Sequence, residues 1–102
     1  MALVGIETSP APPHLTLSGE IDLAVAPDLQ ERGAELAKAV APGDLEVDLA
    51  DVTFIDSSGL GALISLRNTA RTCGANLRLV RLSSAVQRFF ELAGVQDSFR
   101  LG

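Results

Sequence analysis

Cysteine and histidine are almost missing from this chain. There is one of each, Cys73 and His14, and there is no tryptophan or tyrosine. A single thiol cannot close an intramolecular disulfide, which rules out a cross-linked scaffold. One imidazole and one thiol are too few for an ordinary zinc site, and they leave His14 as the sole imidazole base for a serine nucleophile. The aromatic residues are four phenylalanines, and 13 acidic side chains outnumber 8 basic ones, giving a net charge of −5 and a pI near 4.6. Such a surface lacks both the positive field and the stacking platforms that hold nucleic acid, so direct nucleic-acid binding is not expected. Long apolar runs are missing as well. The most apolar charge-free segment, Ser57 to Leu66, is broken by Ser and Gly and is far shorter than the roughly 20 residues of a bilayer span. The first basic residue is Arg32, so the N-terminus lacks the positive region of a secretory signal, and a cytoplasmic location without membrane contact is expected.

What remains is enough for one domain, expected over residues 1–102. Apolar residues make up 47% of the 102, which supplies a core without metals or disulfides. No repeat and no linker divides the chain, and the proline-rich stretch Thr8 to Pro13 suits a turn between two strands. Charge is divided unevenly along it. Met1 to Asp56 holds 11 acids and 2 bases, whereas Ser57 to Gly102 holds 2 acids and 6 bases. The halves of one small domain lie close together, so this split either balances across a solvated surface or selects a partner.

Hydrophobic spacing sets out the elements. Leu3, Val4 and Ile6, then Leu15 and Leu17, predict two antiparallel strands around the proline-rich turn. Ala26, Leu29, Leu36, Ala37 and Val40 recur at helical intervals, with Pro27 in the first turn and Pro42-Gly43 as a stop; Gly33 weakens that stripe. Leu45, Val47 and Leu49 alternate with Glu46 and Asp48, predicting a strand with one polar face or edge, and Val52 to Ile55 leads as a buried run into Asp56. From Gly59 to about Thr72 a helix buried on more than one side is expected, carrying a polar stripe of Arg67, Asn68 and Arg71 and closed by Gly74, with Cys73 in a small apolar role near its end. Leu77 to Leu82 reads as a strand, Ser83 or Ser84 as a cap, and Val86, Phe89, Phe90 and Ala93 as the core stripe of a last helix ending at Gly94. The alternation implies an α/β fold with a mixed sheet of four to five strands, right-handed crossovers and three to four helices.

One segment concentrates chemistry. Phe54-Ile55-Asp56-Ser57-Ser58-Gly59-Leu60-Gly61 places a carboxylate and two hydroxyls where a strand turns into a helix. The first amides of a helix lack internal acceptors and carry the positive end of its dipole, so oxygen atoms or a phosphate are favoured there. Asp56, Ser57 and Ser58 are all competent caps, and a plain capped helix accounts for the pattern equally well. Catalytic templates fail. A nucleophile elbow needs Gly two residues before its serine, where Ile55 and Asp56 stand. A dinucleotide fingerprint from Gly59 would need Gly or Ala at Ile64, and no lysine follows to complete a phosphate loop.

Gly19-Glu20-Ile21-Asp22, Leu49 to Gly61 and Ser84-Ala85-Val86-Gln87-Arg88-Phe89-Phe90-Glu91-Leu92-Ala93-Gly94, in this order, resemble bacterial anti-sigma factor antagonists, the single-domain STAS proteins. The resemblance implies a STAS-like fold and a phosphorylation switch without enzyme activity or cofactor. The acceptor would be Ser57, with Ser58 as a supporting hydroxyl and Asp22, Asp56 and Gly59 shaping recognition. The implied partners are an anti-sigma factor that is also a serine kinase, bound by the unphosphorylated form so that a sigma factor is freed, and a serine phosphatase that resets the switch. Asp22 also suits a plain cap for the helix that follows it. The alternative function is a non-switching STAS scaffold or regulatory subunit of a signalling or transporter complex.

Overall fold

Strand and helix alternate in the computed structural model, which describes residues 5–10, 13–94 and 100–101, with side chains from 14 to 94. The elements are β1 (Gly5–Pro10), β2 (Pro13–Ile21), α1 (Ala26–Val40), β3 (Asp44–Ile55), α2 (Ser57–Thr72), β4 (Asn76–Val80), α3 (Ser84–Ala93) and β5 (Arg100–Leu101). The five strands pair in chain order, with β1 antiparallel to β2 and the remaining pairs parallel. The hairpin pairs Gly5 with Ser18 and Pro10 with Pro13. Leu3, Val4 and the tip residues Ala11 and Pro12, assigned from sequence to strand and turn, lie outside the described residues.

Right-handed connections between parallel strands laid out in this order carry α1, α2 and α3 to the same face of the sheet. The buried strand residues agree. Leu15, Leu17, Leu45, Val47, Leu49, Leu77 and Leu79 alternate with polar neighbours and join Val86 and Phe90 of α3 in one apolar core. Phe89 is half-buried against that core. The other sheet face is polar: Glu46 pairs with Arg78, and the buried Asp48 pairs with Arg81 just beyond β4. The alternating strand from Leu45 to Leu49 is therefore central in the sheet, and its polar residues mark a face and not an edge.

Two features differ from the pattern read in sequence. Residues 44–55 form one strand of twelve, not a strand followed by a separate buried run. Against β2, β3 gains one residue between Asp48 and Asp51 and another between Val52 and Phe54. Each bulge shifts the alternation by one, so Leu49, Val52 and Ile55 all face the core at a spacing of three while Thr53 and Phe54 are exposed. The first bulge is held by Asp48, whose carboxylate accepts from the Ala50 amide at 2.9 Å. The second difference is Gly33, which does not merely weaken α1. A Cβ there would fall 2.5 Å from Leu66 Cδ1, so glycine permits the close approach of α1 to α2.

The ends of α2 and α3 are well terminated. Ser83 caps α3, its hydroxyl accepting from the Val86 amide at 3.2 Å, and Gly94 ends it with φ of 70°. After α2, half-buried Cys73 is the C-cap and Gly74 adopts φ of 87°. The Gly74 amide donates to Arg71 O and the Ala75 amide to Ala70 O, so the last carbonyls of α2 are satisfied.

Candidate functional site

β2 and β3 run side by side and end together: Ile21 pairs with Ile55. The next residue on each chain segment is an aspartate, Asp22 and Asp56, so the two carboxylates sit at the same rim of the sheet. Gly59 fixes the contact between the two turns. It is buried, and a Cβ on it would lie 2.4 Å from the Ile21 carbonyl oxygen and 2.9 Å from Ile21 Cγ2. Only the absence of a side chain lets the first turn of α2 pack against the end of β2.

The sequence left three candidates for the cap of α2, and the structure distinguishes them. Asp56 is the N-cap: its backbone is extended, its Oδ1 accepts from the Gly59 amide at 3.0 Å, and its carbonyl accepts from the Leu60 amide at 2.9 Å. Ser57 and Ser58 are then the first two helical residues, Ser57 exposed and Ser58 half-buried. Helix geometry gives their amides no intrahelical acceptor, so a positive dipole end faces solvent beside the Ser57 hydroxyl.

Asp22 does not cap α1. The N-cap position of α1 is Val25, which supplies no side-chain cap. The Asp22 carboxylate instead accepts from the Ala24 amide at 3.0 Å, and its carbonyl from the Val25 amide at 3.2 Å, closing a tight turn. Sequence reasoning missed what that turn does to Leu23, which is 73% exposed, and did not foresee that Phe54 is 45% exposed. An apolar residue directly after the acidic segment Glu20 to Asp22 was the available signal for the first; the bulge behind the second leaves no mark in the spacing.

The one imidazole of the chain is far from the serine turn. His14 pairs with Glu46 near the opposite end of β2, and seven residue steps separate it from Ile21, about 23 Å along the sheet. Among the described residues no group of three or more His, Cys, Asp or Glu side chains is placed to hold a metal ion, and no helix is long and apolar enough to cross a membrane. The arrangement offers an exposed hydroxyl on a capped helix, flanked by carboxylates, on a two-turn surface.

The site is thus a strand-to-helix serine turn held against a neighbouring parallel strand by glycine. The sequence family described as "Mlab, STAS domain" matches residues 4–101, and the chain belongs to the STAS domain family. An anti-sigma-B factor antagonist of Bacillus subtilis (strain 168) is 36% identical over 84 residues, covering 82% of this chain and 75% of the relative. One from Listeria monocytogenes serovar 1/2a is 33% identical over 81 residues, covering 79% and 70%. Among solved structures, an anti-sigma factor antagonist from Mycobacterium paratuberculosis superposes with a TM-score of 0.76 at 26% identity, covering 99% of this chain and 85% of that one. The anti-sigma factor antagonist SpoIIAA in its unphosphorylated form gives 0.72 at 16% identity over 97% and 87%, a likeness of fold.

Proposed function

We propose that this protein is an anti-sigma factor antagonist switched by phosphorylation. Its unphosphorylated form binds an anti-sigma factor that is also a serine kinase, which frees a sigma factor; phosphate on Ser57 ends the binding, and a serine phosphatase restores it. The observation that carries this reading is the division of labour in the β3–α2 turn. Asp56 makes the cap, so the exposed Ser57 hydroxyl is not needed by the fold and is open to a kinase.

The electrostatics give the switch its sign. A phosphate adds about −1.5 to −2 charges. It arrives beside Asp56 and on the same rim as Asp22, while the open amides at the start of α2 favour it locally. The domain therefore tolerates the dianion, and an interface built over the rim does not. Driving a complex from 99:1 to 1:99 takes about 5.5 kcal/mol. Desolvating an unpaired charge costs several kcal/mol, which is of that order.

The test uses the purified protein, ATP and candidate anti-sigma factor kinases from the same organism, with peptide mass spectrometry. Phosphate is expected on Ser57 and lost in Ser57→Ala. Phosphate persisting on Ser57→Ala protein overturns the acceptor assignment; failure to bind any of these kinases overturns the antagonist role in favour of a non-switching module.

A further inference from the structure

Three large apolar side chains are exposed among the described residues: Leu23 at 73%, Phe54 at 45% and Leu92 at 82%. Leu92 is at the C-terminal end of α3. The other two share the rim that carries Ser57, and in both cases a specific backbone device turns them outward.

Leu23 lies between two amide contacts to one residue. Asp22 Oδ1 takes the Ala24 amide and Asp22 O takes the Val25 amide, so the turn closes beneath Leu23 while Val25 is buried. Phe54 owes its exposure to the second bulge of β3. In an unbroken strand it would share the inward face of Val52; the extra residue puts Ile55 inward instead. Phe54 pairs with Glu20 in the row next to the Ile21–Ile55 row, beyond which Asp22, Leu23, Asp56 and Ser57 follow. Single exposed apolar side chains are ordinary on a protein surface, but two held out by backbone devices on one acidic rim have the make-up of an interface, apolar at its centre and polar at its edge.

The charges around the pair decide what covers it. Residues 18–25 and 50–61 carry Glu20, Asp22, Asp51 and Asp56 and no Lys, Arg or His. A second copy would set four carboxylates against four, and an anionic bilayer would be repelled in the same way. We infer that Leu23 and Phe54 are the apolar anchors of a docking surface for a protein partner whose facing patch is apolar and edged with basic side chains. This rests on the reading above, in which that partner is the anti-sigma factor kinase. The same surface then brings the kinase to Ser57, and the phosphate is delivered onto the surface that the complex buries.

The experiment compares the full chain with Leu23→Ser, Phe54→Ser, the double variant and Leu92→Ser, by calorimetry against the purified kinase that phosphorylates Ser57. Leu23→Arg is included because a position so exposed does not threaten folding. Each rim substitution is expected to weaken binding about tenfold and the pair about a hundredfold, with Leu92→Ser within about twofold of wild type; Leu23→Arg should leave the thermal melt unchanged, and the Phe54 variants are titrated well below their own melting transitions. If the wild-type chain binds the kinase and the double variant and Leu23→Arg bind as well, this inference fails while the functional reading stands. If the wild-type chain binds no such kinase, the functional reading fails first and this one with it. Equal loss at Leu92→Ser, or sedimentation showing that the rim substitutions act by abolishing a dimer, also overturns it.

Discussion

Gly59 on α2 and Ile21 on β2 touch so closely that a methyl group on Gly59 would come within 2.4 Å of the Ile21 carbonyl oxygen. The obstacle is backbone and cannot swing aside. The contact joins the turn that carries Asp22 to the turn that carries Ser57, so the geometry of the candidate site depends on it.

Gly59→Ala is therefore expected to destabilise the protein even though alanine is favoured over glycine inside helices by about 1 kcal/mol. Overpacking of this kind costs about 1–3 kcal/mol. Gly61 supplies the control: it lies in the same helix, and a Cβ there meets nothing within 4 Å. Gly61→Ala should stabilise by about 0.5–1 kcal/mol. Urea denaturation of the two variants checks the sign of each, and equal effects would mean that the Ile21 contact does not constrain the turn.

Asp56 combines a cap with a charge, and substitutions separate them. Asp56→Ala removes the acceptor for the Gly59 amide and should cost about 1 kcal/mol. Asp56→Asn keeps an oxygen there and should retain most of the stability. Kinase binding by the two variants, set against their midpoints in denaturant, then reports whether the carboxylate charge itself contributes to recognition.

Phosphate on Ser57 should leave the fold intact. It lies at the first helical position, where the dipole favours it by about 0.3–1 kcal/mol, against repulsion from the neighbouring Asp56. For a domain of this size 1 kcal/mol shifts Tm by roughly 4–8 °C. The melting temperature of the phosphorylated protein should accordingly stay within about 5 °C of the unmodified form. A clear loss of helical circular dichroism on phosphorylation would show that the switch works by unfolding α2.

Much of this was legible in the sequence because its signals are local. Pro42-Gly43, Gly74 and Gly94 mark element ends, the spacing from Leu29 to Val40 marks a helix, and Asp56-Ser57-Ser58-Gly59 marks a capped turn. The remainder depends on which segments meet. Gly33 reads as a weakness in α1 until Leu66 is seen against it. The exposure of Phe54 comes from a register shift against β2, and single-strand periodicity contains no information about a neighbour's register. Asp22 reads as a helix cap, whereas its bond to the Ala24 amide makes it the hinge of a turn. The choice among Asp56, Ser57 and Ser58 as the cap was equally open until the backbone of Asp56 proved extended.

Arg81 joins two opposing effects at one position. Among the described residues it is the non-glycine residue in the left-handed region, with φ of 51°, and its guanidinium, on a side chain 74% exposed, pairs with the buried carboxylate of Asp48. The backbone conformation costs roughly 1 kcal/mol for a residue with a Cβ, whereas removing the guanidinium leaves Asp48 with its bond from the Ala50 amide. Arg81→Ala loses the ion pair and keeps the strain. Arg81→Gly loses the same pair and relieves the strain, so it should be more stable than Arg81→Ala by about 1 kcal/mol despite the greater freedom of its unfolded chain. Denaturant midpoints of wild type and the two variants separate the terms: the gap between Gly and Ala reports the backbone, and the gap between wild type and Ala reports the pair. Should Ala and Gly prove equal, the left-handed conformation carries no cost, and the whole loss in Arg81→Ala belongs to the ion pair with Asp48.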